Sequence, residues 1–312
     1  VILPAIAVAV AGNVWRNNMA SETRIGLAGA GLMGQPVARR LAAAGYSVAV
    51  WNRSKDKAHA LEKYGVTAVD TPAQLMAGSD VIICLLSDAQ ACNDVIFNDN
   101  ALKHIRKKAV IIMMSTLSPQ IVIEQQHKAN AAQADYLDMP VSGGTTGAEN
   151  GTLSLMAGGN AETIDRLRPL LSHLGKVTRV GEVGAGQLTK LANQIIVAGT
   201  LSLLSEAFTL AQRGGADPAK VREALLGGFA DSTLLQQQGE RMVNEDFKAR
   251  GAAKWQLKDT RSSVALAEQF GLTLPLTETV NQLFSQMIDA GDGDLDHCAI
   301  IRQIQRLNGM PI

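Results

Sequence analysis

The sequence carries no excess of charge of either sign: 29 Lys and Arg balance 29 Asp and Glu over 312 residues, for a formal net charge of zero. No global field therefore draws the chain to nucleic acid or to an anionic membrane, and a small molecule is the expected partner. Cysteine is scarce. Cys84, Cys92 and Cys298 are odd in number and match neither a metal-ligand nor a CxxC spacing. They predict reduced thiols in a cytoplasmic protein, with Cys84 in the core. The histidines, His59, His104, His127, His173 and His297, are scattered without the paired spacing of a zinc site, so no metal is expected. No segment after Met19 reads as transmembrane.

What is present is enough chain for two domains, with 46% hydrophobic residues to build their cores. Residues 1–18, VILPAIAVAVAGNVWRNN, read as an N-terminal extension. Their apolar part is too short to span a bilayer and lacks the basic stretch that precedes a secretory signal. Met19 then opens a segment that resembles a natural start. From residue 24 to about 180, the β-branched runs RIGLAG, SVAVWN, DVIICLLS, AVIIMMS, DYLDMPVS, TLSLMAG and VTRVG are separated, in several places, by helical patterns. Such alternation predicts a largely parallel sheet covered on both faces. Past Gly186 only helices are expected, over 186–213, 218–226, 231–245, 254–270, 277–290 and 294–307.

In RIGLAGAGLMGQPVARRLAAAG, Gly29, Gly31 and Gly34 form GxGxxG after a strand and at the opening of a helix. The first glycine allows a tight turn, the second lets the backbone approach a pyrophosphate, and the third lets helix and strand pack closely. The turn Gly29, Ala30, Gly31, Leu32, Met33 and Gly34 is thus a candidate dinucleotide site, and the competing reading is a purely structural turn. The expected architecture is an α/β Rossmann-type dinucleotide-binding domain over 19–184 followed by an all-α C-terminal domain over 185–312. After the second strand, where a free ribose 2′-hydroxyl usually meets a carboxylate, stand Asn52, Arg53 and Ser54. A guanidinium and a hydroxyl suit a 2′-phosphate, which predicts NADP(H) in preference to NAD(H). The competing reading is that Arg53 only solvates a turn.

DMPVSGGTTGAENGTLSLMAGG, residues 138–159, places Ser142, Gly143 and Gly144 in a turn after a strand. A hydroxyl beside two glycine amides suits a small anion such as a carboxylate, although alone the stretch is a glycine-rich loop. GAGQLTKLANQIIVAG, residues 184–199, sets Lys190 and Asn193 on one face of an otherwise apolar helix. By itself this fits a helix-start lysine that snorkels to solvent beside a satisfied asparagine. An ammonium held there can also stabilise negative charge and donate a proton, and partial burial eases its neutralisation in the reverse direction. Gly184 and Gly186 are expected to let backbone and ligand approach closely.

Four ordered motifs, GLAGAGLMGQP, DMPVSGGTTGAENGTL, GAGQLTKLANQ and KDT at 258–260, make residues 23–308 similar to the β-hydroxyacid dehydrogenase family. That family includes 3-hydroxyisobutyrate dehydrogenases and tartronate semialdehyde reductases (2-hydroxy-3-oxopropionate reductases). TKLANQIIVA, SEAFTLAQRGGADP and GGFADSTLL most resemble the reductases; the 3-hydroxyisobutyrate dehydrogenases more often pair two asparagines where this chain has Asn193 and Gln194. The resemblance implies that Lys190 is catalytic and that Ser142, Gly143 and Gly144 hold the substrate carboxylate, with Asn193 assisting. It also implies cofactor contacts from the Gly29–Gly34 turn, Leu85, Leu86, Thr116 and Lys258. The implied activity is hydride transfer between a nicotinamide and a short β-hydroxyacid or semialdehyde, foremost tartronate semialdehyde to glycerate. A 3-hydroxyisobutyrate, 4-hydroxybutyrate or threonate-type dehydrogenase is the alternative, and a non-catalytic dinucleotide sensor a more remote one. Ala30 where leucine is frequent, Thr116 where serine is also common, and Thr260 where leucine is common are small departures, and Lys190 argues against imine-reducing members. The apolar late helices, with the resemblance, predict a homodimer or homotetramer.

Overall fold

The computed structural model describes residues 23–312, so the readings of residues 1–18 and of Met19 fall outside the described residues. The chain divides into two compact units, one ending at Lys190 and the other running from Leu191 to Ile312.

The first unit runs β1 (Arg24–Ala28), α1 (Gly34–Ala43), β2 (Ser47–Trp51), α2 (Lys55–His59), β3 (Thr67–Ala68), α3 (Pro72–Gly78), β4 (Val81–Cys84), α4 (Ala89–Val95) and α5 (Asp99–Leu102). It continues with β5 (Val110–Met113), α6 (Pro119–Ala131), β6 (Asp135–Asp138), β7 (Val141–Ser142), α7 (Gly144–Asn150), β8 (Leu153–Gly158), α8 (Ala161–Leu171) and β9 (Gly175–Gly181), and ends in the first turns of α9 (Ala185–Arg213). The strand order is β3-β2-β1-β4-β5-β6-β8-β7, with β9 beside β8. Strands β1 to β6 pair in parallel, whereas β8 runs antiparallel to β6 and β7. β4 and β5, VIIC and VIIM, are buried at every residue. Their side chains alternate between two apolar clusters: Ile83 and Ile112 pack with Leu27 and Leu41, while Ile82 and Ile111 pack with Leu75 and Val122. Helices therefore cover both faces, as the β-branched runs predict. The order reverses between β1 and β4, and the carboxyl ends of these strands flank the switch point where doubly wound sheets bind ligands.

Three local features differ from expectation. DYLDMPVS breaks at Met139 and Pro140 into a parallel β6 and a β7 that pairs Val141 with Leu155 and Ser142 with Ser154; a proline has no N–H to continue the ladder. β3 spans two residues, too short to leave a periodicity. The glycine-spaced stretch after Ser142 is a short helix, α7.

The second unit continues α9 and adds α10 (Pro218–Leu225), α11 (Glu240–Val243), α12 (Ala253–Gln269), α13 (Pro275–Met287) and α14 (Ile300–Leu307). α10 and α13 start on prolines, which suit a first helical position because its N–H has no intrahelical partner. The core gathers Leu201, Leu204, Phe208, Leu257, Phe284, Met287 and Ile300. The stretches around residues 235–239 and 288–292 wind as π-helical turns, the second broken by Gly291 at φ +91°. Asp296 is completely buried, 2.9 Å from the Arg241 guanidinium, and accepts from the amides of Arg250 and Gly251 at 2.7 and 2.9 Å. Desolvation pushes its carboxyl up, but His297, those amides and Arg241 together hold it below its ordinary 3.8.

By length and composition α9 is long and apolar enough to cross a membrane, which the sequence reading did not anticipate. A core helix meets the same criterion, and Ala198, Leu201 and Phe208 of α9 are fully or nearly fully buried in the second unit.

Candidate active site

At the carboxyl end of β1 the chain turns at Gly29, whose φ of +110° favours glycine. A Cβ there would lie 2.2 Å from the Leu85 carbonyl oxygen, and one on Gly34 would lie 1.9 Å from the carbonyl oxygen of Gly29. Packing thus requires the first and third glycines. A Cβ on Gly31 would meet no protein atom within 4 Å. Packing does not require this glycine, which is the property of a backbone kept clear for a phosphate. Leu32 is exposed, Met33 is half-buried, and α1 begins at Gly34 with its first amides at the turn.

Asn52 has a different immediate task from the one expected of it: its Oδ1 accepts from Ala30 N and its Nδ2 donates to Ser54 O, both at 2.9 Å. It braces the glycine turn, leaving Arg53 and Ser54 exposed beside it. Leu85 donates its amide to Ala28 O at 2.9 Å, and Leu86 donates to Ser115 Oγ at 2.8 Å. Thr116, half-buried, follows Ser115. The turn, residues 52–54, Leu85, Leu86 and Thr116 therefore cluster along the carboxyl ends of β1, β2, β4 and β5. Among the described residues no group of three or more His, Cys, Asp or Glu is arranged to hold a metal. Cys84 and Cys92 are buried and not joined by a disulfide, with their sulfurs 3.6 Å apart.

Ser142 ends β7 half-buried, and Gly143 at φ +128° turns the chain into α7. The far end of α7 is held by Arg40 of α1, which donates Nη1 to Glu149 O at 2.8 Å and Nε to His173 O at 2.7 Å. Gly151, where a Cβ would lie 2.3 Å from Arg40 Nη2, makes room for that guanidinium. Arg40 so links the helix after the dinucleotide turn to the helix after Ser142.

Lys190 lies half-buried in the second turn of α9. Both glycines before it have contacts within the protein. The Gly184 amide donates to Asp138 Oδ1 at 2.9 Å, and a Cβ on Gly186 would lie 2.5 Å from Met156 O. Asp138 Oδ2 accepts from Gln187 N at 2.8 Å, and the Gln187 side chain bonds to Leu117 N and Ser115 O, each at 2.9 Å. Burial pushes the Asp138 carboxyl above its ordinary 3.8, with the amides of Gly184, Gln187 and Gly186 pulling the other way. In the second unit, Asn193 Nδ2 donates to Gln194 Oε1 at 2.9 Å, Gln194 Nε2 donates to Asp259 Oδ2 at 2.7 Å, and Lys258 Nζ stands 3.4 Å from Asp259 Oδ1. Asp138, Gln187 and Asp259 each lie inside a motif singled out in the sequence, yet their buried polar contacts were not anticipated there.

The doubly wound sheet and its glycine turn define a dinucleotide-binding protein. Residues 24–184 match the family model for the NAD binding domain of 6-phosphogluconate dehydrogenase, and residues 184–304 match that for the NAD-binding of NADP-dependent 3-hydroxyisobutyrate dehydrogenase. The chain is 38% identical over 284 residues to 2-hydroxy-3-oxopropionate reductase of Escherichia coli (strain K12), covering 90% of this chain and 97% of that one. Among solved structures, 3-hydroxyisobutyrate dehydrogenase from Salmonella typhimurium superposes with a TM-score of 0.84 at 25% identity, covering 90% of this chain and 99% of that one. The Mycobacterium tuberculosis 3-hydroxyisobutyrate dehydrogenase, solved with L-serine, gives 0.82 at 27% identity, covering 91% and 99%. The chain belongs to the 3-hydroxyisobutyrate dehydrogenase-like family of β-hydroxyacid dehydrogenases.

Proposed function

We propose that this chain reduces tartronate semialdehyde to glycerate with NADPH. The observation that carries the reading is that the dinucleotide turn, Ser142 and Lys190 share one compact unit, in which Gln187 bonds the helix bearing Lys190 to both sides of Thr116. The 38% identity to the E. coli reductase supports this substrate over others of its class. The Gly29–Gly34 turn, Leu85, Leu86, Thr116 and Lys258 hold the dinucleotide, and Arg53 with Ser54 takes its 2′-phosphate. When bound, the dinucleotide supplies a hydride to the aldehyde carbon. Ser142 with the amides of Gly143 and Gly144 binds the substrate carboxylate, and Asn193 orients the substrate without competing for the proton. Lys190 stabilises the negative charge that develops on the aldehyde oxygen and gives it a proton, which completes the alcohol. No metal, nucleic acid or membrane takes part.

We further propose that the working form is a homodimer or homotetramer. Ile196, Leu203 and Leu210 of α9 recur every seven residues and are 66, 66 and 76% exposed, an apolar stripe that a second copy would cover. Light scattering at micromolar concentration should report more than a monomer.

The test of the activity is NADPH or NADH oxidation at 340 nm with tartronate, succinic and methylmalonate semialdehydes. Selective turnover of tartronate semialdehyde with NADPH is expected. Faster turnover of another aldehyde refutes the substrate, and NADPH binding without turnover of any refutes the enzymatic reading for this class.

A further inference from the structure

A helix that opens on glycine has little side chain of its own with which to satisfy its first amides. α9 opens as Ala185, Gly186 and Gln187 behind Gly184, and a residue 46 positions before Gly184 fills the need: Asp138 accepts from Gly184 N at 2.9 Å and from Gln187 N at 2.8 Å. A cap taken from an adjacent residue fixes a helix end only to its own chain. One taken from the end of β6 fixes it to the sheet. Gln187 supplies a second fixed point, because its amide side chain accepts from Leu117 N and donates to Ser115 O, each at 2.9 Å. Both side chains are completely buried. The neighbouring glycines leave space for this seat. A Cβ on Gly158 would lie 2.2 Å from Asp138 Oδ1, and one on Gly186 would lie 2.7 Å from Asp138 Oδ2. Lys190 comes three residues after Gln187, on the same helical face.

We propose that Asp138 and Gln187 are positioning residues for Lys190. Together they form a clasp that seats the first turn of α9 on the carboxyl ends of β5 and β6. The place of the ammonium relative to the Thr116 segment, and to the strand that leads from Asp138 to Ser142, is then set before substrate arrives. The inference rests on the reading of Lys190 as proton donor. Neither clasp residue touches reacting atoms; each acts by holding a donor that must stay within hydrogen-bond reach of one oxygen, where a displacement of about 1 Å costs about a hundredfold in rate.

Asp138→Asn and Gln187→Glu preserve side-chain volume but oppose like groups, an amide NH2 against an N–H in the first and a carboxylate oxygen against Ser115 O in the second. Both variants, with Lys190→Ala alongside, are compared for kcat and its pH profile on the best substrate of the aldehyde panel. NADPH affinity is read by fluorescence, and backbone hydrogen exchange is followed over residues 184–190. The expected result is a fall in kcat of about 10- to 100-fold, little change in NADPH affinity, faster exchange in the first turn of α9, and a shift in a limb of the kcat pH profile, with Lys190→Ala inactive but still binding NADPH. A purely structural cap would speed exchange and leave kcat and the pH limb where they were, and that result overturns the proposal. An active Lys190→Ala refutes the proton-donor reading and the clasp with it; an inactive Lys190→Ala beside wild-type kcat in the clasp variants refutes the clasp alone. Should Asp138→Asn fail to fold, Gln187→Glu carries the comparison.

Discussion

Replacing Arg53 with Asp should reverse the coenzyme preference. The structure narrows this to a local question, since Asn52 is committed to Ala30 N and Ser54 O, and the exposed groups beside the turn at the end of β2 are Arg53 and Ser54. A hydrogen bond between a guanidinium and a phosphate contributes about 1.5–3 kcal/mol, or roughly 10- to 150-fold in the NADPH/NADH ratio of kcat/KM. Arg53→Ala should lose about that factor. Arg53→Asp adds repulsion between a carboxylate and the 2′-phosphate, about 1 kcal/mol for exposed charges close together, and brings a group that can bind a free 2′-hydroxyl. The combined fall should therefore reach about a hundredfold or more. The assay is steady-state kinetics with each coenzyme at saturating aldehyde, at two salt concentrations, because an exposed ion pair weakens with ionic strength. An NADPH/NADH ratio unchanged in both variants would show that Arg53 only solvates its turn.

Three further outcomes follow from separate parts of the structure. Ser142→Ala should raise KM for the aldehyde about tenfold or more, the loss of one bond to a carboxylate, with a smaller effect on kcat; unaltered constants remove Ser142 from the site. Gly31→Ala should weaken NADPH binding without lowering Tm, because its Cβ meets no protein atom, whereas Gly34→Ala should lower both, its Cβ falling 1.9 Å from Gly29 O; a Gly31→Ala protein with unchanged NADPH affinity would refute the approach of phosphate at that residue. Asp296→Asn removes the buried partner of Arg241 but leaves the Asp246 carboxylate 3.2 Å from its Nε, so it should destabilise the protein near neutral pH by less than the about 3–5 kcal/mol that an unpaired buried charge costs. The Asp296 carboxyl is held below 3.8 in the fold, so its stabilisation is present above that pH and lost as pH falls through the lowered value. Denaturant titrations should show the acid-side loss of stability smaller in the variant, and a variant as stable as the parent would refute the assignment.

The first unit was largely legible because its signals are local. The alternation of Ile82 and Ile83 between opposite faces, and the glycines at 29, 31 and 34, act over a few residues. The two-residue β3 and the break at Pro140 were not anticipated, since the first leaves no period and the second falls within what reads as one continuous strand. The motif around Lys190 was recognised for its lysine and asparagine, yet the partners of Gly184 and Gln187 lie 46 and 49 residues back at Asp138. No periodicity reports such a pairing. Gly186 illustrates the difficulty well: its sequence context suggests room for a ligand, and in the fold that room is filled by Asp138 and Met156 O.

The carboxyl group of Asp138 has a consequence for how this sequence can drift. Gly158 and Gly186 are held small by the Asp138 carboxyl together with backbone carbonyls, Glu182 O beside the first and Met156 O beside the second, so neither can gain a side chain even where the acid is lost. A methyl group gained at 158 or 186 would collide with the acid and with a backbone carbonyl, and loss of the acid alone leaves a void and two unserved amides in a dry interior. The dependence therefore runs one way: the acid at 138 needs both glycines, while the carbonyls beside them keep the glycines in place whatever stands at 138.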